Sequence, residues 1–285
     1  MTDVNPFPKL PAREVDSHKG DFGRVFFVGG SVGMAGSIAL AGLAALRCGA
    51  GLVTIATPRD CLDVVASFCP SYMTLPLPCD AAGVVTIEGF EKLVGRLEKA
   101  NVVGCGPGLS QSRGVSGMVL RLQRELDLPI VFDADALNVL AQQPDALQES
   151  AGPRVLTPHL GEFARLVQVE RVEAAEARAQ AVEQAKHWKS VVVLKGPRTL
   201  VTDGDRVYEN QSGNAGLATG GTGDVLTGII TSLIGQGLAP FDAAQLGVYL
   251  QGLAGDLAAD VYGQAGMISE DLIELLPQAC RQVME

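Results

Sequence analysis

Short β-branched runs recur along this chain, and each is followed by a glycine or polar cluster. The runs are Val25–Val28, Leu52–Ala56, Val102–Gly104, Ile130–Asp133, Val155–Thr157 and Val191–Lys195. Between them lie helix-like segments, among them Glu88–Ala100, Val115–Leu126 and Glu173–Lys189. Strands that are apolar on both faces, alternating with amphipathic helices, require a mostly parallel sheet covered on both sides. After Lys195 the pattern changes. Thr199–Thr202 and Arg206–Glu209, separated by Asp203-Gly204-Asp205, read as a β-hairpin. A glycine-rich loop, Gly213–Gly223, leads into a helix starting near Asp224, whose residues Val225, Leu226, Ile229, Ile230, Leu233 and Ile234 share one face. A second long helix runs from about Asp242 to Ala259, and a last one from about Glu270. No linker, internal repeat or low-complexity tract interrupts the 285 residues, which read as one α/β domain over 1–285.

Charge and cysteine usage narrow the setting. With 22 Lys and Arg against 32 Asp and Glu, the net charge is −10. A chain this acidic repels a phosphate backbone, which argues against a nucleic-acid partner. The cysteines at 48, 61, 69, 79, 105 and 280 form no C-x-x-C pair and no metal-ligand spacing, as expected of buried reduced thiols. Val25–Leu46 carries no charge and is long enough to span a bilayer. Its five glycines instead divide it into a strand, a Gly-Gly-Ser-Val-Gly turn and an Ala-rich helix. Met1–Pro6 shows neither a basic nor an apolar leader segment. The expectation is a cytoplasmic protein with no membrane partner.

In open parallel sheets, ligands bind at the carboxyl ends of the strands. Gly29–Gly36, Gly104–Gly108, Asp133–Asn138, Thr157–Glu162 and Lys195–Thr199 each follow a strand run and so predict one shared site. In the loop Asn214–Gly223, the glycines at 220, 221 and 223 let backbone N–H groups converge on an anion. The helix beyond adds its positive end. On local sequence Asp224 is equally a helix N-cap or a general base. Lys195, ending a buried strand, calls for an anionic partner, with a plain surface lysine as the alternative. No G-x-x-x-x-G-K-[ST] is present, so a P-loop is excluded. Gly104–Gly108 and Gly30–Gly36 lack the full dinucleotide fingerprint. Each is either a positive-φ turn or a place where backbone approaches a ligand, with the N–H groups of Gly36, Ser37 and Ile38 opening a helix. Asp133 and Asp135 can hold hydrated Mg²⁺ or polar ligand groups, although Asp135 also reads as a helix cap. His159, one of three histidines, sits between a strand end and a Gly-Glu turn, where it is either structural or a ligand hydrogen-bond partner.

The matching stretches are His18-Lys19-Gly20-Asp21-Phe22-Gly23, Val28–Ser31, Gly106-Pro107-Gly108, Asp133–Leu137, Thr157-Pro158-His159 with Gly161-Glu162, Lys195-Gly196 with Thr199, and Gly213–Gly228. Together they resemble the ADP/ATP-dependent NAD(P)H-hydrate dehydratase family, of the ribokinase-like superfamily, from about Arg13 to the end. Leu160 and Ala215 depart from the family, where proline is usual at both. The resemblance implies a three-layer α/β/α fold with a mostly parallel sheet and a small hairpin in the last third. It also implies repair of hydrated NADH or NADPH, in which the ring hydroxyl is phosphorylated and phosphate is then eliminated.

Carried over residue by residue, Asp224 is the base. Lys195, Gly196, Pro197, Arg198, Thr199, Asn214, Gly220, Gly221, Thr222 and Gly223 bind the nucleotide. Gly36, Ser37, Ile38, Gly106, Gly108 and His159 hold the substrate, with Asp224 against the reacting ring. Asp133, Asn138, Thr157 and Glu162 form a polar wall around metal and phosphates. The co-substrate is ADP or ATP, with Mg²⁺ as cofactor and no residue assigned as its direct ligand. About a dozen residues precede the first motif, which implies a stand-alone dehydratase served by a separate epimerase. The stand-alone form leans towards ADP. A homo-oligomer, a tetramer, is the expected assembly. The rivals are a vitamin-precursor kinase of the same superfamily, a catalytically silent nucleotide sensor and a dinucleotide oxidoreductase. Thr157-Pro158-His159 favours the dehydratase over the first, and Asp224 over the second.

Overall fold

In the computed structural model, which describes residues 7–9 and 13–284, nine strands form one sheet in the order β3-β2-β1-β4-β5-β6-β7-β8-β9. The first six residues, read above for a leader segment, lie outside the described residues. The strands are β1 (Arg24–Val28), β2 (Leu52–Pro58), β3 (Met73–Leu77), β4 (Val102–Cys105), β5 (Ile130–Phe132), β6 (Arg154–Leu156), β7 (Val191–Leu194), β8 (Leu200–Thr202) and β9 (Val207–Glu209). The first seven run parallel, and β8 and β9 add antiparallel edges. The mostly parallel sheet and the late hairpin are as expected.

Successive strand residues point to opposite faces, so each strand feeds two cores. On one face Val28, Val103, Ile130, Phe132 and Val192 pack under α3 (Glu88–Val94), α4 (Arg113–Glu125), α5 (Asp135–Gln142), α6 (Leu160–Leu166) and α7 (Ala174–Trp188). On the other, Val25, Phe27, Val131, Val155 and Val193 pack under α1 (Ala35–Arg47), α2 (Leu62–Phe68), α8 (Thr222–Gly235), α9 (Pro240–Tyr262) and α10 (Ser269–Met284). The result is three layers, α/β/α. Among the described residues no helix is long and apolar enough to cross a membrane.

Several expected boundaries move, among them the start of α4, which is Arg113 and not Val115. The helix from Glu88 ends at Val94 and not at Ala100, because the chain turns at Gly95 and again at Leu97 to bury Ala100 and enter β4. The helix expected from about Asp242 begins at Pro240, whose missing N–H suits a first helical position, and continues to Tyr262. The helix after the glycine loop begins at Thr222, two residues before Asp224.

The strand order reverses between β1 and β4, and their loops leave for opposite faces of the sheet. A crevice opens at such a switch point. Its walls are tied together, since the Gly30 N–H donates to the Pro107 carbonyl at 2.9 Å and the Ser31 hydroxyl to that of Gly108 at 2.9 Å. Over the crevice α1 and α8 pack almost backbone to backbone. A Cβ on Gly228 would lie 2.2 Å from the Ala41 carbonyl oxygen, so only glycine permits this approach. Helix propensity favours Gly228→Ala by about 1 kcal/mol, and steric overlap opposes it by about 1–3 kcal/mol. The overlap wins. Urea unfolding of Gly228→Ala is expected to show a lower midpoint than the parent.

Candidate active site

The rim is organised by a buried ion pair. Asp133, just past β5, is 1% exposed, and its Oδ1 accepts from Lys195 Nζ at 2.6 Å. Its Oδ2 accepts from the Thr227 hydroxyl of α8 at 2.9 Å. A buried carboxylate with both oxygens satisfied in this way is stable, whereas an unpaired one is not. Glu162 adds a second carboxylate 3.8 Å from Lys195 Nζ. Burial alone would depress the ammonium, but Asp133, Glu162 and Asp224 outweigh it and hold its pKa above the ordinary value. The anionic partner that a strand-end lysine calls for is therefore supplied from within the protein.

The N-terminus of α8 lies directly on this pair. A Cβ on Gly223 would come 3.3 Å from Lys195 Nζ and 3.6 Å from Asp133 Oδ2. Gly221, at φ +90°, precedes the first turn with no side-chain cap, and the first-turn N–H groups remain available to an anion. Asp224 is the third residue of this turn and not its N-cap, which settles one of its two readings. Burial pushes the Asp224 carboxyl up to about 7, and the negative charges of Asp133 and Asp135 add to the effect. A hydrogen bond from Ser37 and the Lys195 charge oppose it without cancelling it. A half-buried carboxyl poised near neutrality at a helix N-terminus has the character of a general base.

Beside this turn a cleft of about 500 Å³ opens between the β7–β8 loop, the glycine loop, α8 and α9. Lys195, Gly196, Pro197, Arg198, Thr199, Asn214, Thr222 and Gly223 all line it. Gly220 and Gly221 sit just outside, with the Cβ position of Gly221 filled by Leu40 and Ser269. The Asn214 side chain braces the loop. It accepts from the Gly216 N–H and donates to the Gly255 carbonyl and to Asp256, each at 2.9 Å. Arg198, at φ +56°, pairs with Glu209 at 2.6 Å.

The remaining expected residues divide. Ser37 reaches Asp224 from the first turn of α1, where Gly36 faces open space, while the Ile38 side chain is fully buried. Gly106 and Gly108 both have positive φ. Cβ atoms there would strike the Asp133 carbonyl at 1.8 Å and the Met34 carbonyl at 2.5 Å, so protein packing alone already demands glycine. His159 caps α6, its Nδ1 accepting from the Gly161 and Glu162 N–H groups at 3.0 and 3.2 Å. The Glu162 carboxylate returns the bond by accepting from the His159 N–H at 2.9 Å, which completes a capping box. The ring is 55% exposed, with its Nε2 3.5 Å from the Glu162 carboxylate. Thr157 is buried, its hydroxyl on the Phe132 carbonyl. Asn138 stands apart from Asp133 and lines an open groove, next to Arg165.

Sequence reading missed Thr227, the second partner of Asp133, and Gln251 and Asp256 of α9. Asp256 fixes the Gly213 N–H at 2.9 Å, and Gln251 donates to the Thr222 carbonyl at 2.5 Å. For Gln251 and Asp256 the available signal was two polar side chains set into the otherwise apolar run Leu246–Ala259. Among the described residues no group of three or more His, Cys, Asp or Glu side chains is arranged to hold a metal ion. With both Asp133 oxygens engaged, the residues present do not fit a protein-held Mg²⁺.

Residues 25–278 match the family described as NAD(P)H-hydrate dehydratase. The chain is 46% identical over 279 residues to the bifunctional NAD(P)H-hydrate repair enzyme Nnr of Moorella thermoacetica, covering 97% of this chain and 53% of that one. It thus spans about half the length of this bifunctional relative. It is 39% identical over 275 residues to the ADP-dependent (S)-NAD(P)H-hydrate dehydratase of Neisseria meningitidis, covering 93% of this chain and 88% of that one. The crystal structure of the ADP/ATP-dependent NAD(P)H-hydrate dehydratase from Bacillus subtilis, co-crystallised with ATP and Mg²⁺, superposes with a TM-score of 0.79. That match has 31% identity and covers 96% of this chain and 95% of the other.

The raised Asp224 pKa has a consequence for stability. An aspartate in the unfolded chain titrates near 3.8, and in the folded protein Asp224 titrates near 7. Between those values the folded state holds a proton that the unfolded state has released, so stability falls as pH rises across that window and levels off above it. Asp224→Asn is therefore expected to be more stable than the parent at about pH 8. The advantage should shrink towards about pH 4, as read by urea unfolding at several pH values.

Proposed function

The chain belongs to the NAD(P)H-hydrate dehydratase family, and from that premise we propose that it dehydrates hydrated NADH and NADPH at the expense of a nucleotide. The observation that carries the proposal is the Asp224 carboxyl, held near neutrality beside a nucleotide-sized cleft and an uncapped helix N-terminus. The nucleotide occupies the cleft lined by Lys195–Thr199, Asn214, Thr222 and Gly223, and presents its terminal phosphoryl group to the first turn of α8. Its Mg²⁺ enters with the phosphates, which are the usual ligands of this ion.

Asp224 takes the proton of the hydroxyl on the hydrated ring as that oxygen attacks the phosphoryl group. The α8 N–H groups stabilise the charge on the transferring oxygens. The phosphorylated oxygen then leaves as phosphate, the ring loses a proton from the neighbouring carbon, and the reduced nicotinamide is restored. With ADP the other product is AMP. We favour ADP on the name of the Neisseria relative.

Gly36, Ser37, Gly106, Gly108 and the exposed edge of His159 border the substrate side. We read the described chain as one catalytic domain that works with an NAD(P)H-hydrate epimerase. We assign it to the cytoplasm on its six free cysteines, five of them buried thiols. A vitamin-precursor kinase would share the phosphoryl transfer but keep the phosphate on its product.

Near-ultraviolet absorbance of reduced nicotinamide, followed after mixing protein, hydrated NADH, Mg²⁺ and ADP or ATP, tests the reading. A nucleotide-dependent rise with stoichiometric phosphate release is expected, and a flat trace with both nucleotides overturns it. Turnover should rise with pH through about 7 as Asp224 loses its proton. Asp224→Asn should reduce it about 100-fold or more, with the nucleotide-binding isotherm nearly unchanged.

A further inference from the structure

The cleft meets the first turn of α8 through Gly223 and Lys195, which line it. Asp135, two residues past Asp133 and with its charge felt at Asp224, begins a polar path that leads to none of the cleft-lining residues. Asp135 Oδ2 accepts from the Ser110 N–H at 2.7 Å, and its Oδ1 accepts from Asn138 Nδ2 at 3.4 Å. Asn138 Oδ1 in turn accepts from Arg165 Nε at 3.0 Å. This path ends in an open groove of about 650 Å³ between α5 and α6, lined largely by exposed side chains.

The chemistry of that groove is specific. Gln111, Asn138, Gln142 and Gln168 supply four side-chain amides, and Arg165 is the one charged residue in the lining. Among the described residues no carboxylate forms an ion pair with Arg165, although the chain as a whole carries a net charge of −10. Its guanidinium also runs back towards the rim, since Nη1 lies 3.9 Å from where a Gly161 Cβ would stand, beside the His159 ring. An arginine without an acid, among carboxamides, is built for a phosphate on a hydrogen-bonding ligand.

We propose that this groove binds the adenosine end of the hydrated dinucleotide, and that Arg165 pairs with its 2′-phosphate, so that the enzyme prefers hydrated NADPH to hydrated NADH. The inference rests on the dehydratase reading above and adds the substrate preference to it. With the hydroxylated ring at Asp224 and the nucleotide in the cleft, the α5–α6 groove adjoins the substrate side through Arg165, whose Nη1 lies beside the His159–Gly161 turn. Carboxamides suit the adenine edge, which offers both donors and acceptors.

The test is KM for both hydrated cofactors in the parent, Arg165→Gln and Gln142→Glu. The parent is expected to favour hydrated NADPH. Arg165→Gln should raise the KM for hydrated NADPH about tenfold relative to that for hydrated NADH, the scale of one lost charge-assisted contact. Gln142→Glu, which puts a carboxylate into the groove and leaves Arg165 in place, should move the ratio the same way. Equal losses on both substrates would place Arg165 on the shared pyrophosphate and overturn the proposal. An unchanged ratio in both variants also overturns it. Binding of NADPH and NADH themselves, titrated by nicotinamide fluorescence, reads the same preference without turnover. A preference lost in Arg165→Gln supports the groove assignment even if the parent proves inactive on hydrated substrate, an outcome that would reject the dehydratase reading alone.

Discussion

The contact between Lys195 and Asp133 organises the site, because it joins elements that the sheet alone would keep apart. Asp133 follows β5 and Lys195 follows β7, with β6 between them. Neighbouring strands lie about 4.8 Å apart, so the two backbones are separated by about 10 Å. A lysine's four-carbon stem can cross that distance, and Lys195 Nζ comes within 2.6 Å of the carboxylate. The crossing also requires a small side chain at the end of β6. Thr157 stands there with its hydroxyl turned down onto the Phe132 carbonyl. Because both charges are largely out of water, removing either partner leaves an uncompensated buried ion, a destabilisation of about 3–5 kcal/mol.

The pair also sets where α8 can begin. Thr227 must reach Asp133 Oδ2, and Gly223 must lie flat against Lys195, so the first two turns of the helix are held from below. From the side, Gly228 lets α8 settle against Ala41 of α1, and that same packing places Ser37 of α1 beside Asp224. Two uncapped helix N-termini are thereby presented to one rim. Neither has a side-chain cap among the described residues, and such N-termini favour a ligand that carries negative charge.

Much of this was legible in the sequence, and the reasons differ by element. Six parallel strands announced themselves because they are buried on both faces and therefore read as uninterrupted apolar runs. β3 did not, since Met73-Thr74-Leu75-Pro76-Leu77 alternates and contains a proline, which only an edge position tolerates. The short helices α2, α5 and α6, of 7, 8 and 7 residues, offer too few turns to establish a period. The uncapped, glycine-rich start of α8 was legible through its glycines, and Lys195 and Asp224 through their position at the rim. What stayed hidden were contacts between residues far apart in sequence, such as Asp133 with Thr227, Asn214 with Asp256, and Asn138 with Arg165. No local pattern encodes these, because each depends on which helix the three layers bring over which strand.

The partition of charge within the cluster decides what Asp224 can do. A general base works best when its pKa lies near the working pH. Burial and the Asp133 charge push Asp224 up, and Lys195 pulls it down. A direct pairing of Lys195 with Asp224 would pull the carboxyl further down and make it a weaker base. With Lys195 committed to Asp133 at 2.6 Å, its field at Asp224 is only a partial offset, and the carboxyl titrates near neutrality. In the proposed reaction Asp133 would act at one remove, by occupying the lysine. The strand order that sets Asp133 and Lys195 two strands apart also leaves Asp224, on the helix above them, as the carboxyl free to exchange a proton.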